Sequence, residues 1–345
     1  MSKENTPHIS VAPMMDWTDR HFRYFMRIIS PHTRLYTEMI TTGAILHGDK
    51  DRFLRYDKSE HPLALQLGGC DPHDLATCSK IGAEYGYDEI NLNCGCPSDR
   101  VQKGMIGAIL MTKPDLVADC FEAMQQAVDV PVTIKCRIGV DDQDSFEFLC
   151  EFVDKIADRG CKTFIIHARK CWLKGLSPKE NREIPELDYA RVAALKEKYP
   201  QASIILNGGI TDLETIQSIV HARDEATKPE MKLGKLDGAM IGREAYTNPY
   251  FMAEIERKIF GNHDILGREK IARKMIEYAA RQQQEHQTPI KSITRHILGL
   301  YHHQKGAKAW RRTLSTLHYE KNAGPEVIEK AIQAVDLAHK DRISA

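Results

Sequence analysis

Short, continuous apolar runs recur along the first two-thirds of the chain, at 9–13, 35–40, 63–67, 89–93, 132–137, 163–168, 203–206 and 238–241. They do not alternate with polar residues, which is the pattern of strands buried on both faces. The segments between them, such as 115–128, 145–159, 189–199 and 213–221, carry the apolar spacing of helices. Regular alternation of strand and helix predicts a parallel sheet, and eight such units predict an α/β fold closed into a (β/α)8 TIM barrel. After Gly261 the pattern changes. Helical spacing dominates at 271–285, 292–303, 310–318 and 326–339, and no further strand stands out. The expected organisation is therefore a barrel over residues 1–260 and an all-helical domain over 261–345.

A length of 345 residues suits one barrel with an appendage, and 42% hydrophobic residues against 28% charged ones exclude wholesale disorder. No apolar run approaches the roughly 20 residues that span a bilayer. The opening MSKENTPHIS carries no apolar stretch of the signal-peptide kind. These features predict a cytoplasmic protein with no membrane partner, and nothing in the pattern points beyond a monomer.

Net charge is zero, which at first argues against a polyanionic partner. The balance is uneven, however. Residues 261–345 hold an excess of six positive charges and residues 1–260 the matching deficit. Residues 286–318 contain no acid at all, yet hold Lys291, Arg295, Lys305, Lys308, Arg311 and Arg312, with five histidines interleaved. One reading is a solvated helix face; the other, favoured by 33 residues without a carboxylate, is an anion-binding surface. The nine cysteines form no C-x-x-C pair, so zinc ribbons and iron–sulfur clusters are unsupported and no metal site is expected.

Barrel active sites are assembled at the C-terminal ends of the strands. Reading that position strand by strand gives Met14–Met15, Glu38, Gln66, Asn91 and Asn93, Lys135, His167, Asn207-Gly208-Gly209 and Gly242-Arg243. Singly, each is a commonplace structural group. So many polar groups converging on one face are hard to explain as packing, because each is desolvated at a cost. The two glycine turns follow strands seven and eight, where barrels bind phosphate; glycine lets backbone N–H groups approach the anion, and Arg243 adds a bidentate contact. Lys135 lies inside an apolar strand and calls for an anionic partner. That partner is either a reduced flavin, negative along its N1–C2=O edge, or a carboxylate such as Glu38 or Asp88 in a structural ion pair.

The sharpest local signal is Asn91-Leu-Asn-Cys-Gly-Cys-Pro97. Pro97 restricts Cys96 to extended geometry, and Gly95 permits close backbone approach, so a thiol is held just past a strand end. As a nucleophile such a thiol needs a base; as a general acid it does not, since an ordinary thiol is mostly protonated at neutral pH. Cys94 reads as a core residue.

These residues resemble the tRNA-dihydrouridine synthase family. The resemblance rests on Ala12-Pro-Met-Met-Asp-Trp-Thr-Asp19, Gln66-Leu-Gly, the Cys-Pro motif, Val101-Gln-Lys-Gly-Met-Ile-Gly107, Ile134-Lys-Cys-Arg-Ile-Gly139, Ile166-His-Ala-Arg169, Asn207-Gly-Gly-Ile210 and Ile241-Gly-Arg243. The long segment 169–187, which reads as a flap over the barrel mouth, and Ile293-Thr-Arg-His-Ile-Leu-Gly-Leu300 are similar to the A-type bacterial subfamily, whose substrate is the uridine pair 20/20a of the tRNA D-loop.

The resemblance implies an FMN-binding barrel and a helical domain that clasps tRNA. Pro13, Met14, Met15, Gln66, Lys135, His167, Asn207, Gly208, Gly209, Gly242 and Arg243 would bind FMN. Cys96 would be the proton donor, and Asn93, Lys179, Arg182 and Arg295 would contact tRNA. NADPH would be the reductant. Reduced flavin would deliver hydride to C6 of a flipped-out uracil, Cys96 would protonate C5, and His167 or Lys135 would steady the developing charge. Two alternatives stand beside this reading. One is a small-molecule pyrimidine reductase of the dihydroorotate dehydrogenase kind, which has no use for the acid-free basic segment. The other is a non-catalytic tRNA-binding protein, which has no use for Cys96 or the flavin constellation.

Overall fold

The computed structural model describes residues 7–98, 104–220, 233 and 236–340. Eight strands form one parallel sheet: β1 (His8–Val11), β2 (Leu35–Thr41), β3 (Leu63–Gly68), β4 (Glu89–Cys94), β5 (Val132–Arg137), β6 (Thr163–His167), β7 (Ser203–Asn207) and β8 (Gly238–Ile241). Each matches an apolar run in the sequence to within two residues at either end. Neighbours in the sheet are neighbours in sequence, and β1 pairs with β8. At the remaining seam β1 meets β2 through a parallel bridge between Ser10 and Arg34. There the Val11 amide donates to the Arg34 carbonyl (2.9 Å) and the Arg34 amide to the Ile9 carbonyl (3.0 Å). The sheet is thereby closed into a TIM-type barrel.

Parallel strands buried on both faces need crossover helices, and the intervening segments supply them with conventional ends. Helix Pro72–Tyr85 starts with proline in its first turn under an Asp71 cap and stops at Gly86 in the left-handed region. Helix Phe146–Ala157 is capped by the Ser145 hydroxyl, which accepts from the Phe148 amide (3.0 Å). Inside the barrel, Ala12, Tyr36, Ala64, Ile165, Ile205 and Met240 form a buried cluster on which Met14 packs.

The chain divides into two compact units. One joins Met1–Met15 to Arg34–Gly242; the other joins Asp16–Thr33 to Arg243–Ala345. The boundary expected near Gly261 thus falls earlier, and an N-terminal piece is counted with the helical unit. That piece contains helix Arg20–Ile29, whose Phe22, Phe25, Met26 and Ile29 are buried. Tyr24 stacks on Tyr278 at 3.9 Å, and His21 Nδ1 hydrogen-bonds the Tyr278 hydroxyl (2.8 Å). An amphipathic pattern states that a face is covered, not by what, so this allegiance is invisible in the sequence. Redrawn this way, the helical unit holds an excess of seven positive charges.

The second unit also contains helices Arg243–Thr247, Phe251–Lys258, Arg268–His286, Ile290–Thr294, Ala307–Leu317 and Glu326–Lys340. The helix expected over 292–303 is corrected: it stops at Thr294, and a run of tight i→i+3 turns follows. Side chains take carbonyls there, Trp310 Nε1 donating to Ile297 (2.9 Å) and Arg268 Nε to Leu300 (3.0 Å). A side chain at Gly299 would also meet the Thr247 carbonyl oxygen at 2.6 Å. No helix among the described residues is long and apolar enough to cross a membrane.

Candidate active site

Of the polar inventory expected at the strand ends, Gln66, Asn91, Asn93, Lys135, His167 and Asn207 come together at one end of the barrel. Asn91 and Asn93 point inward from β4, opposite Gln66 of β3 and Thr133 and Lys135 of β5 in the strand register. Gln66 Nε2 donates to Asn91 Oδ1 (2.8 Å), and Asn93 Nδ2 donates to Gln66 Oε1 (2.8 Å). Asn93 Oδ1 then accepts the backbone amides of Gly95 and Cys96, both at 3.0 Å. Asn93, expected as a tRNA contact, is therefore 8% exposed and mostly engaged in shaping the loop that carries Cys96.

That loop is tied down from two more sides. The Cys96 carbonyl accepts the Ala108 amide (2.9 Å). Gly107, at φ +87°, comes so close that a Cβ there would lie 2.4 Å from the Cys96 carbonyl oxygen. Arg137, the last residue of β5, donates through Nε to the Gly95 carbonyl (2.9 Å). The Cys96 thiol is half-buried, whereas Cys94 is fully buried in the core with its pKa pushed well up by burial. Of the glycine-rich motif around this loop, Val101–Lys103 lie outside the described residues.

Lys135 is not held in a structural ion pair with either expected carboxylate. Its Nζ donates to Asn207 Oδ1 (3.0 Å), and no carboxylate pairs with it among the described residues. Asp88 instead holds His61 and the Leu63 amide. Burial, then the charge of Arg137, pushes the Lys135 pKa down to about 8. Asn207 spends its other amide end on the Met240 carbonyl (2.8 Å), so it fixes Lys135 and leaves little for a ligand.

The ring of His167 has no hydrogen-bond partner among the described residues. Its pKa is held well below the usual histidine range, first by burial and then by Arg137, Lys135, Arg169 and Arg182. His167 is a neutral imidazole at pH 7 and serves as a hydrogen-bonding group, not as a cation. Lys135, Arg137, Arg169 and Arg182 thus surround a neutral histidine with positive charge, a field that favours a bound anion.

The glycine turns have the shape such an anion needs. Gly208 and Gly209 sit at φ +112° and +66°, and a Cβ on Gly208 would lie 2.6 Å from His167 Cδ2. Tyr189 donates its hydroxyl to the Gly208 carbonyl (2.6 Å), fixing the turn. Gly242 faces open space with nothing within 4 Å of a Cβ position. Arg243 follows it directly as the first residue of the second unit. Pro13 and Met14 are half-buried and Met15 is 57% exposed at the end of β1. These residues fit a flavin mononucleotide: a backbone cradle for the phosphate, Lys135 for negative charge on the ring, and an exposed apolar edge.

The flap is a built loop. Asn181, fully buried, pins it through both amide ends: Oδ1 accepts from the Trp172 amide (2.8 Å) and Nδ2 donates to the Trp172 carbonyl (2.9 Å). Arg137 reaches this loop too, Nη1 donating to the carbonyls of Lys170 and Asn181, each at 3.0 Å. Lys179 and Arg182 are exposed on the flap. Arg295, in the helical unit, pairs with Asp19 (2.7 Å), which buried His296 also holds (2.9 Å). Lys308, Arg311 and Arg312 are exposed and make no ion pair among the described residues. Lys305, Gly306, Lys308, Ala309, Arg312 and Ala338 line a concavity of about 510 Å³. Sequence reasoning had not singled out Arg137, Thr133, Glu89 or Tyr189. Their signal is only that charged or hydroxyl groups occupy positions otherwise apolar.

The family model described as dihydrouridine synthase (Dus) matches residues 10–336. A tRNA-dihydrouridine(20/20a) synthase of Shewanella oneidensis is 53% identical over 97% of this chain and 96% of its own length. The protein of that name from Escherichia coli K12 is 52% identical over 94% of this chain and 91% of its own length. Among solved structures, a 2-naphthoyl-CoA reductase complex superimposes with a TM-score of 0.52 at 8% identity, over 72% of this chain and 49% of that one; it supports the barrel fold alone. The chain belongs to the dihydrouridine synthase family.

Proposed function

We propose that the chain reduces uridine to 5,6-dihydrouridine at positions 20 and 20a of the tRNA D-loop, using FMN re-reduced by NADPH, with Cys96 as the proton donor. The observation that carries this reading is a thiol loop locked at a strand end, at the same barrel end as a buried lysine with no carboxylate partner among the described residues and a histidine ringed by positive charge. Bound FMN supplies the hydride for uracil C6. The chain's own residues do the rest. Gly208 and Gly209, with Gly242 and Arg243, would hold its phosphate. Lys135 would face negative charge on a bound flavin, and an opposite charge there would restore what burial removes from its pKa. Pro13, Met14, Met15 and Gln66 flank the ring. A base inside the tRNA fold cannot reach a barrel mouth, so the target uridine is taken out of its stack. Cys96 then donates its proton to C5, and neutral His167 donates a hydrogen bond to the charge building on O4.

The helical unit and the flap grip the RNA. Lys308, Arg311 and Arg312 contact phosphates, and Lys179, Arg182 and Arg295 also contact the tRNA. Asn93, largely occupied within the protein, has one amide hydrogen left for the substrate base. Incubation of an unmodified tRNA transcript with the holoprotein and NADPH, followed by mapping of dihydrouridine, tests the assignment. Dihydrouridine at 20 and 20a is the expected product. Reduction of free orotate or uracil in place of tRNA would favour the small-molecule alternative.

A further inference from the structure

Behind the Cys96 loop lies a line of buried polar side chains, of which Glu89, Asn91 and Thr133 have no part in the chemistry above. The Cys96 amide donates to Asn93 Oδ1 (3.0 Å), and Asn93 Nδ2 to Gln66 Oε1 (2.8 Å). Gln66 Nε2 donates to Asn91 Oδ1 (2.8 Å), and Asn91 Nδ2 to Thr133 Oγ1 (2.8 Å). Thr133 donates in turn to Glu89 Oε1 (2.7 Å). The other carboxylate oxygen pairs with Arg34 (3.1 Å), and the Tyr36 hydroxyl also donates to Oε1 (2.5 Å). Gln66, Glu89, Asn91, Asn93 and Thr133 are each at most 8% exposed. Glu89, Asn91 and Asn93 occupy alternate positions of β4, so all three face the barrel interior.

Every donor in this line points the same way, from the thiol loop toward the carboxylate. That polarity is forced from both ends. A backbone N–H can only donate, and Glu89 Oε1 accepts from both the Thr133 and Tyr36 hydroxyls, so each amide between them has one orientation that satisfies its neighbours. Aligned bonds of this kind polarise one another, and a break leaves two buried groups unsatisfied.

We infer that Glu89 and Thr133 are positioning residues for Cys96, acting through the Asn91–Gln66–Asn93 line to hold the thiol loop and the flavin-facing Gln66 in one register. The inference rests on the reading of Cys96 as proton donor. Neither residue touches a reacting atom. Their effect is to fix the amide of Cys96, and hence the direction of its side chain, from a carboxylate at the opposite end of β4.

The test compares Thr133→Val, Thr133→Ser and Tyr36→Phe in the FMN-loaded protein. Two quantities are read: the rate of Cys96 alkylation by iodoacetamide, resolved by peptide mass spectrometry across pH, and single-turnover dihydrouridine formation by pre-reduced enzyme. Thr133→Val is expected to change the Cys96 alkylation rate at least threefold and to slow dihydrouridine formation about tenfold. Thr133→Ser restores the donor and brings both within twofold of the unaltered chain. Tyr36→Phe removes a hydroxyl from the same carboxylate without cutting the line; it lowers the melting temperature and leaves both rates. Thr133→Cys, of similar size with a weaker donor, falls between Val and Ser and decides the matter if Thr133→Val does not fold. Equal alkylation rates for the unaltered chain and Thr133→Val, or equal rates for the Val and Ser variants, would overturn the inference. If Cys96→Ala still forms dihydrouridine at full rate, the donor assignment fails, and the alkylation arm still decides whether the line positions the loop.

Discussion

Arg137 Nε donates to the carbonyl of Gly95 at 2.9 Å, one residue before the thiol-bearing Cys96. The same guanidinium reaches the flap through the Lys170 and Asn181 carbonyls. One buried cation therefore ties the thiol loop to the loop that bears Lys179 and Arg182. Burial lowers its pKa to about 10, so it remains charged at neutral pH. Arg137→Met is expected to leave one buried and two partly buried carbonyls without this donor and to destabilise the protein by about 2–4 kcal/mol. Dihydrouridine formation should fall more than flavin reduction does. Chemical denaturation and stopped-flow flavin absorbance check the two halves. Equal losses in both rates would mean that Arg137 is only structural.

Lys135 carries a pH signature with a definite sign. Its folded pKa of about 8 lies below the unfolded value, so between the two the unfolded chain binds more protons. Its destabilising contribution to the flavin-free protein is complete below pH 8 and is relieved as pH rises through the folded pKa toward the unfolded one. Melting curves of flavin-free wild type and Lys135→Met should therefore converge as pH rises from 7.5 to 10, with the variant the more stable at the low end. A constant difference would reject the assignment. The same variant should bind FMN more weakly and reduce it more slowly.

The glycine cradle predicts opposite outcomes for two alanines. Gly208→Ala places a methyl 2.6 Å from His167 at φ +112°, and should cost about 1–3 kcal/mol as well as FMN. Gly242→Ala enters open space and should melt as the wild type does, yet retain less FMN because the methyl fills the phosphate position. Differential scanning calorimetry with flavin absorbance separates them.

How much of this was legible in the sequence follows from what each residue's neighbours say. Continuous apolar runs revealed all eight strands, because burial on both faces leaves no alternation to confuse. The glycine turns and the Cys-Pro loop were legible because their backbone restrictions are local. Helix Arg20–Ile29 was not, since its allegiance is decided by Tyr278, more than two hundred residues away. Arg137 and Thr133 were missed for the same reason: each acts on β4 or the flap across strand pairs that the sequence does not record. Asn207 and Asn93 are legible as candidates, but the internal bonds they also make, to Lys135 and Met240 and to Gln66, depend on strand partners that the sequence does not record.

The basic segment predicts a salt effect with a sharper set of residues than charge alone suggests. Lys308, Arg311 and Arg312 are exposed and without ion pairs among the described residues, whereas Arg295 is partly neutralised by Asp19. Replacing the three with alanine should weaken tRNA binding and flatten the salt slope by about two to three log units per log unit of salt. Arg295→Ala should change the slope by less than one. Fluorescence titration of labelled tRNA over a salt series reads both, and an unchanged slope for the triple variant would place the RNA elsewhere.

The central claim is that Cys96 supplies the proton to uracil C5. It is tested most directly by nucleoside analysis of tRNA after a single turnover with pre-reduced Cys96→Ala, alongside stopped-flow measurement of its FMN reduction by NADPH. The account predicts dihydrouridine lowered by at least a hundredfold with flavin reduction within about twofold of the unaltered chain, since a missing general acid costs about 10²–10⁴. Dihydrouridine at the unaltered rate would contradict it.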